Sequence, residues 1–314
     1  MPPVVTLTMN PALDVTSETA RIASGEKLRC SAPRHDPGGG GINVARALRM
    51  LGGNATAVFP VGGVTGKWLE TLMIEESVPC RAIPIAGMTR ENFTIDERQS
   101  KRQFRFVMPG PAVSAIERQR CLDEATGLLS YGGYLVASGS LPPGVPIDFY
   151  RHVGERVNGI GGRFVLDTSG PALRAIGNAS VFLLKASRTE LGELLGRQIG
   201  DTHAQEAAAK EAVALGYAEL VVLSLGAEGA VLAHRTGCWR FRAAVVPVAS
   251  TVGAGDSMVA GILHRLSLNA SIQEAVRYGM AAGAAALMRP GTELCRLEDT
   301  DRIFAEIPMP MPRP

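Results

Sequence analysis

Short apolar runs recur along this chain, each followed by a stretch with helical spacing, and that alternation leaves few folds open. The runs cover 4–8, 55–61, 134–138, 164–168, 181–185 and 220–224. They are apolar at consecutive positions rather than at every second one, so both faces of each strand must be covered. A parallel sheet between two layers of helices meets that need. Helical spacing predicts helices over 42–51, 66–76, 119–129, 204–215, 257–266 and 272–287. With 314 residues and 46% apolar content, the chain can bury a substantial core, and it reads as one large domain over 1–314. In an open sheet of this kind, ligands bind beyond the carboxyl ends of the strands.

Two stretches break the rhythm. Residues 12–33 and 83–108, the second with a turn at Glu97-Arg98-Gln99-Ser100, alternate polar and apolar residues like exposed strands. Together they predict a small antiparallel sheet projecting from the α/β body. Such a sheet can act as a lid that excludes water from a reaction, or it can cover a subunit interface.

Charge narrows the partners. Lys and Arg total 32 against 30 for Asp and Glu, with no run of five like charges, so neither a nucleic acid nor a membrane surface is the expected partner. A small molecule is. The cysteines Cys30, Cys80, Cys121, Cys238 and Cys295 are scattered without a C-x-x-C pair, as expected of reduced thiols in a cytoplasmic protein. The start, Met1-Pro2-Pro3-Val4, lacks the basic and apolar regions of a signal peptide, and no apolar run approaches the ~20 residues that cross a bilayer.

The densest chemistry lies in Ser250-Thr251-Val252-Gly253-Ala254-Gly255-Asp256-Ser257. Glycines let the backbone approach a ligand, and the amides opening the next helix are unpaired donors at its positive end, so an anion fits there. Asp256 would then stand beside that anion, placed to take a proton from an attacking hydroxyl. Equally, an Asp in a glycine-rich turn can simply cap the helix. A second glycine run, Pro37-Gly38-Gly39-Gly40-Gly41-Ile42-Asn43, opens an earlier helix, where the Asn43 amide can both donate to and accept from sugar hydroxyls. Alone, it reads equally as a flexible loop.

Two familiar nucleotide motifs fail. Gly62-Gly63-Val64-Thr65-Gly66-Lys67 is one residue short of a P-loop and has Trp68 where Ser or Thr binds magnesium, and Gly38 to Gly41 lacks the last glycine of a dinucleotide fingerprint.

The early Gly-Gly-Gly-Gly-Ile-Asn and late Thr-Val-Gly-Ala-Gly-Asp motifs together resemble the phosphofructokinase B family of carbohydrate kinases. Within it, the chain resembles the type II 6-phosphofructokinases through Leu28-Arg29-Cys30, Asp36 to Arg46, Arg105-Phe106-Val107-Met108-Pro109-Gly110 and Ser138-Gly139-Ser140-Leu141-Pro142-Pro143-Gly144. The resemblance implies a ribokinase-like three-layer α/β/α sandwich with a small β-sheet lid, forming a homodimer through that lid. It implies transfer of the γ-phosphoryl of ATP to the 1-hydroxyl of fructose 6-phosphate. Tagatose 6-phosphate and fructose 1-phosphate are alternative acceptors, and a nucleotide-binding regulator without turnover is a more distant reading.

The same resemblance assigns residues. Asp256 becomes the general base, with Gly253, Ala254 and Gly255 as the anion hole. Asp14, Gly39, Asn43 and Ser140 would hold the sugar, and Lys27, Arg90 and Arg105 its phosphate, while Lys27 could instead reach a nucleotide across a dimer interface. Lys185, Ser187, Ser224, Gly226, Gly229, Val248, Met280 and Ala284 fall on the segments that would bind ATP. Glu190 would support magnesium together with Asp167, although Ser187 stands where the family keeps Asn. A potassium-like monovalent cation is expected near Ser250, Val252, Ala286, Arg289 and Gly291, held by backbone carbonyls.

Overall fold

The alternating patterns resolve, in a computed structural model that describes residues 2–177 and 179–313, into two sheets flanked by helices. The chain opens with β1 (Val4–Leu7), β2 (Ala12–Thr19), β3 (Arg34–Gly38), α1 (Gly40–Met50), β4 (Thr56–Val61), α2 (Gly63–Glu75), β5 (Cys80–Pro84), β6 (Arg90–Glu97) and β7 (Arg102–Phe106). It continues through α3 (Ala115–Gly127), β8 (Tyr134–Ser138), α4 (Phe149–Gly159), β9 (Arg163–Asp167), α5 (Gly170–Arg174), β10 (Val181–Ser187), α6 (Arg188–Leu195), α7 (Thr202–Ala214) and β11 (Ala218–Ser224). The remaining elements are β12 (Ala230–His234), β13 (Gly237–Phe241), α8 (Ala254–Ser267), α9 (Ile272–Leu287), α10 (Leu297–Glu306) and β14 (Met311–Arg313).

The larger sheet has the order β14-β13-β12-β11-β10-β9-β8-β1-β4-β5. From β11 to β5 every pair is parallel, and β12 to β14 add an antiparallel edge. Consecutive residues explain the layers: Tyr134 and Val136 of β8 enter one core, whereas Leu135 and Ala137 enter the other. The first core lies beneath α1, α8 and α9, and the second beneath α3, α4 and α7. Burying each Val or Leu of these strands is worth about 1.5–3 kcal/mol, so a polar residue on either face is costly. Because the chain steps from β1 to β4 on one side and later places β8 on the other, a crevice opens at the carboxyl ends of β1 and β8.

The smaller sheet differs from the antiparallel one expected. Its order is β3-β2-β6-β7, and β2 pairs with β6 in parallel, Asp14 standing opposite Asn92. Both strands follow the carboxyl ends of parallel strands of the main sheet, β1 and β5, so they enter the second sheet in the same direction. Residues 20–33 contribute only a bridge from Thr19 to Cys30, the third strand lies at Arg34–Gly38, and Cys80–Pro84 belongs to the main sheet. The boundaries 12–33 and 83–108 therefore shift.

Helix starts also move. α3 begins at Ser114 rather than near 119, through a capping box in which the Ser114 hydroxyl accepts from the Glu117 amide and Glu117 accepts from the Ser114 amide. The antiparallel edge and the helices α4, α5, α6 and α10 lie outside the helices and strands expected from spacing.

Candidate active site

Asp256 sits in the first turn of α8, which begins at Gly253 in the left-handed region with φ of 73°. The first helical bond runs from the Ser257 amide to the Gly253 carbonyl, so the amides of Ala254, Gly255 and Asp256 precede any intrahelical partner. The Asp256 carboxylate does not turn back to cap them. Instead it accepts from Asn43 Nδ2 at 3.0 Å and from Ser138 Oγ at 3.4 Å, reaching α1 and the end of β8. Burial pushes its pKa up to about 6 and the Asp167 charge adds to the rise, while Asn43, Lys185 and Ser138 oppose it. An acid so poised can accept a proton near neutral pH.

Lys185, near the end of β10, places Nζ 3.1 Å from both Asp167 oxygens. Its amine also lies against the glycine turn, where a Cβ on Gly255 would come within 2.9 Å of Nζ. Burial disfavours the ammonium, yet Asp167, Glu190 and Asp256 around it hold its pKa above the ordinary lysine range. A fixed cation thus stands beside the anion-binding amides.

A cleft of roughly 570 Å³ gathers Lys185, Ser224, Gly226, Gly229, Val248, Met280 and Ala284, the residues expected on the ATP-binding segments apart from Ser187. Thr251, Ala254 and Gly255 also line it, so the glycine turn forms part of its wall. Val246, Gly283 and Leu287 also line the wall and were not anticipated, because scattered apolar residues look like ordinary core. Ser187 is not on this wall. It begins α6 as the first half of a capping box: Ser187 Oγ accepts from the Glu190 amide, and Glu190 Oε2 accepts from the Ser187 amide at 2.7 Å. The spacing Ser187-Arg188-Thr189-Glu190 carries this signal openly. One Glu190 oxygen is therefore committed to the helix end, and Asp167 is paired with Lys185.

A second polar group forms around Asp14, on β2. Its Oδ1 accepts from Asn92 Nδ2 at 2.9 Å, and a Cβ on Gly38 would fall 2.4 Å from its carboxylate. Burial raises the Asp14 pKa, opposed by Asn92, Arg90, Arg105 and Arg46. Arg90 is held by the carbonyls of Met108 and Asn10, at 2.8 and 2.9 Å, leaving Nε buried without a partner among the described residues. Arg105 lies exposed on β7 opposite Thr94. Gly39, with φ of 116°, starts α1, whose Ile42 amide donates to Thr8 Oγ1 and so ties the glycine run to the end of β1. Ser140 Oγ accepts from Asn10 Nδ2. Lys27 is exposed on the segment between β2 and β3 and is not among the cations acting on Asp14, so within one chain it does not join this group. Asn10, Arg46, Asn92 and Ser138 are the polar residues that sequence reasoning missed. Only Ser138, ending a strand on the ligand side, carried a readable signal.

Of the carbonyl set, Ser250 Oγ donates to the Gly291 carbonyl at 2.7 Å and accepts from the Val252 amide. The Ala286 carbonyl accepts from the Arg289 amide at the end of α9, and the Arg289 side chain pairs away with Asp299. Among the described residues, no group of three or more His, Cys, Asp and Glu side chains gathers as a metal cluster.

A three-layer α/β sandwich that carries a desolvated acid on an anion-binding turn, beside an apolar cleft, together with a second buried acid under the charge of several arginines, has the layout of a kinase for small hydroxylated molecules. The chain belongs to the pfkB family of carbohydrate kinases, whose model matches residues 3–300. It is 49% identical over 303 residues to the ATP-dependent 6-phosphofructokinase isozyme 2 of Mycobacterium tuberculosis, covering 96% of this chain and 89% of the relative. Its identity to the Escherichia coli protein of the same name is 43% over 305 residues, covering 96% and 98%. A 1-phosphofructokinase of Xanthomonas campestris is 34% identical, covering 95% and 92%. Among solved structures, phosphofructokinase-2 from Escherichia coli in complex with potassium superposes with a TM-score of 0.93 at 40% identity, covering 98% and 99%. Ribokinase from Thermotoga maritima, at 18% identity, covers 97% and 100% with a TM-score of 0.78 and shares the fold. The fold is ribokinase-like, and the enzyme is a carbohydrate kinase.

Proposed function

We propose that this kinase transfers the γ-phosphoryl group of ATP to the 1-hydroxyl of fructose 6-phosphate. The observation that carries the reading is the placement of Asp256, desolvated and held by Asn43 and Ser138, on the turn whose Gly255 lines the apolar cleft. The relatives at 49% and 43% identity bear the 6-phosphofructokinase name, which favours a sugar already phosphorylated at carbon 6.

In this mechanism ATP lies in the cleft with its γ-phosphate against the amides of Ala254 and Gly255 and the Lys185 ammonium. Asp14, Asn43 and Ser140 hold sugar hydroxyls beside Gly39, and Arg90 and Arg105 meet the 6-phosphate, for which guanidinium geometry is suited. Asp256 takes the proton of the 1-hydroxyl as the new O–P bond forms, and the bond from the γ-phosphorus to the β–γ bridging oxygen breaks to release ADP. Placement and charge supply most of the rate. Magnesium, when bound with the nucleotide, neutralises charge on the phosphates. Glu190 and Asp167 would support it through waters, a sparse donor set that suits an ion keeping most of its hydration. Carbonyls of Ser250, Val252, Ala286, Arg289 and Gly291 would take the potassium-like ion.

The four-stranded sheet serves as the lid. With its flanking segments it leaves Leu28, Phe93, Phe106 and Val107 exposed, apolar side chains that suit a homodimer formed through the lid, and Lys27 would act from there toward the neighbouring subunit. No described helix is long and apolar enough to cross a membrane, which accords with the proposed cytoplasmic location.

The Xanthomonas campestris relative keeps fructose 1-phosphate in view as acceptor. An initial-rate panel with ATP and magnesium against fructose 6-phosphate, tagatose 6-phosphate, fructose 1-phosphate, fructose and ribose tests the reading. Fructose 6-phosphate should give the highest kcat/KM; a preference for any other acceptor replaces it, and no turnover at all points to a nucleotide-binding regulator.

A further inference from the structure

The loop after α9 is trapped between the small sheet and the phosphoryl-transfer turn. On one side it braces that turn at three places. The Gly291 carbonyl accepts from Ser250 Oγ, Leu294 Cδ2 lies 2.5 Å from where a Cβ on Gly253 would stand, and the Cys295 amide donates to Ser257 Oγ at 3.4 Å. On the other side it meets β3. Thr292 Oγ1, buried, donates to Asp36 Oδ2 at 2.6 Å, and Arg34 donates to the same oxygen at 2.8 Å and to Glu293 Oε1 at 2.9 Å. Arg34 Nη2 also reaches Thr292 Oγ1 at 3.3 Å.

Asp36 stands directly opposite Asp14 in the β2·β3 pair. Residues facing each other in an antiparallel pair project to the same side, where like charges repel unless they are neutralised. Asp36 has Arg34 at 2.8 Å and Arg46 at 3.8 Å for that purpose. Arg46 in turn is anchored by Glu76 at the end of α2 and by the Pro37 carbonyl. The strand carrying Asp36 is thereby fastened to the body and to the loop behind Gly253, and β2 with Asp14 is fastened to that strand.

We propose that Asp36, Arg34, Thr292 and Glu293 are positioning residues that hold the Asp14 strand in register with the anion-binding turn, so that sugar pocket and turn behave as one unit. None of the four touches the reacting atoms. Their effect passes through β2 on one side and through Gly291 and Leu294 on the other. The inference rests on the proposed reading of Asp14 and the Gly253–Gly255 turn as the two halves of the site. Rigid support of this kind matters because a misplacement of about 1 Å can cost on the order of 10²-fold in rate.

Thr292→Val removes the hydroxyl with little change of shape, and Glu293→Gln removes one charge at a half-buried position, so the second variant keeps the question open if the first folds poorly. Two measurements are made on the full-length protein. Hydrogen–deuterium exchange without ligand is expected to quicken in both 12–19 and 250–256, not only in the mutated loop. Kinetics with the accepted sugar phosphate are expected to show KM for the sugar raised about three- to tenfold, the scale of a lost charge-assisted contact at partial exposure, with KM for ATP within twofold. Exchange changes confined to 289–296, or a sugar KM within twofold of wild type, would overturn the proposal. The exchange experiment needs no substrate, so its failure is distinct from failure of the acceptor assignment.

Discussion

Asn43 and Asp256 lie 213 positions apart in the chain, yet the Asn43 amide donates to the Asp256 carboxylate at 3.0 Å. Each opens its own helix, α1 and α8, so the bond joins the two glycine-rich turns at one point. This contact orients the acid and stabilises its ionised form against the burial that raises its pKa.

Replacing Asp256 by Asn should lower kcat by at least ~10²-fold while ATP affinity changes little, as for loss of a general base. Isothermal titration with ATP beside steady-state kinetics checks both halves. A variant with near-wild-type kcat would remove Asp256 from the mechanism.

The same substitution should stabilise the fold at alkaline pH. Because the native pKa of about 6 exceeds the ordinary 3.8, the folded state binds the proton more tightly than the unfolded one, and stability is lost as pH rises between these values. Above pH ~6 the penalty is complete, on the order of 3 kcal/mol. Thermal melts should therefore show Asp256→Asn above wild type in Tm at pH 8, with the gain vanishing near pH 4. Equal melting at pH 8 would mean the acid carries no such burden.

An acid of pKa about 6 in the free enzyme should make kcat/KM fall with unit slope on a logarithmic scale below that pH. Asn43→Ala deletes a donor to the ionised form, so the acid limb of the kcat/KM profile should move to higher pH. An unmoved limb, measured at sugar concentrations well below KM, would place the titration on another group.

Arg105→Ala and Arg90→Ala should each raise KM for a phosphorylated sugar, with charge-assisted contacts worth ~1.5–3 kcal/mol and the exposed Arg105 at the lower end. KM for ATP should change far less. Arg90→Ala should also lower Tm, because its guanidinium joins the carbonyls of Asn10 and Met108. Unchanged sugar KM in both variants would indicate an acceptor without a phosphate.

The capping box at the start of α6 separates two effects. Ser187→Ala should cost about 0.5–2 kcal/mol of stability through the lost cap, with little change in magnesium requirement. Glu190→Gln should raise the magnesium concentration for half-maximal rate, since charge rather than a hydrogen bond supports the ion. A magnesium titration in which Ser187→Ala is the more damaging would give the serine a direct ligand role.

Much of the fold was readable because its strongest signals are local. Consecutive apolar residues at 134–138 and 181–185 require cover on both faces, and a glycine turn followed by Asp256 and an apolar helix places an acid on an anion-binding turn wherever the chain leads. The capping boxes at Ser114 and Ser187 were equally local. They decide the starts of α3 and α6, which apolar spacing alone had missed.

What the linear chain determines, then, is each element and the chemistry it carries, since sterics and capping act over a few residues. Pairing direction, proximity and desolvation act across hundreds. That β2 lies parallel to β6, that Lys185 reaches Asp167 while Lys27 stays at the surface, and that Asp256 is buried enough to titrate near 6 follow from how packed layers exclude water and bring distant ends of strands together. Only the assembled tertiary structure fixes those relations, because dielectric environment and contact geometry belong to the whole packed core and not to any stretch of residues.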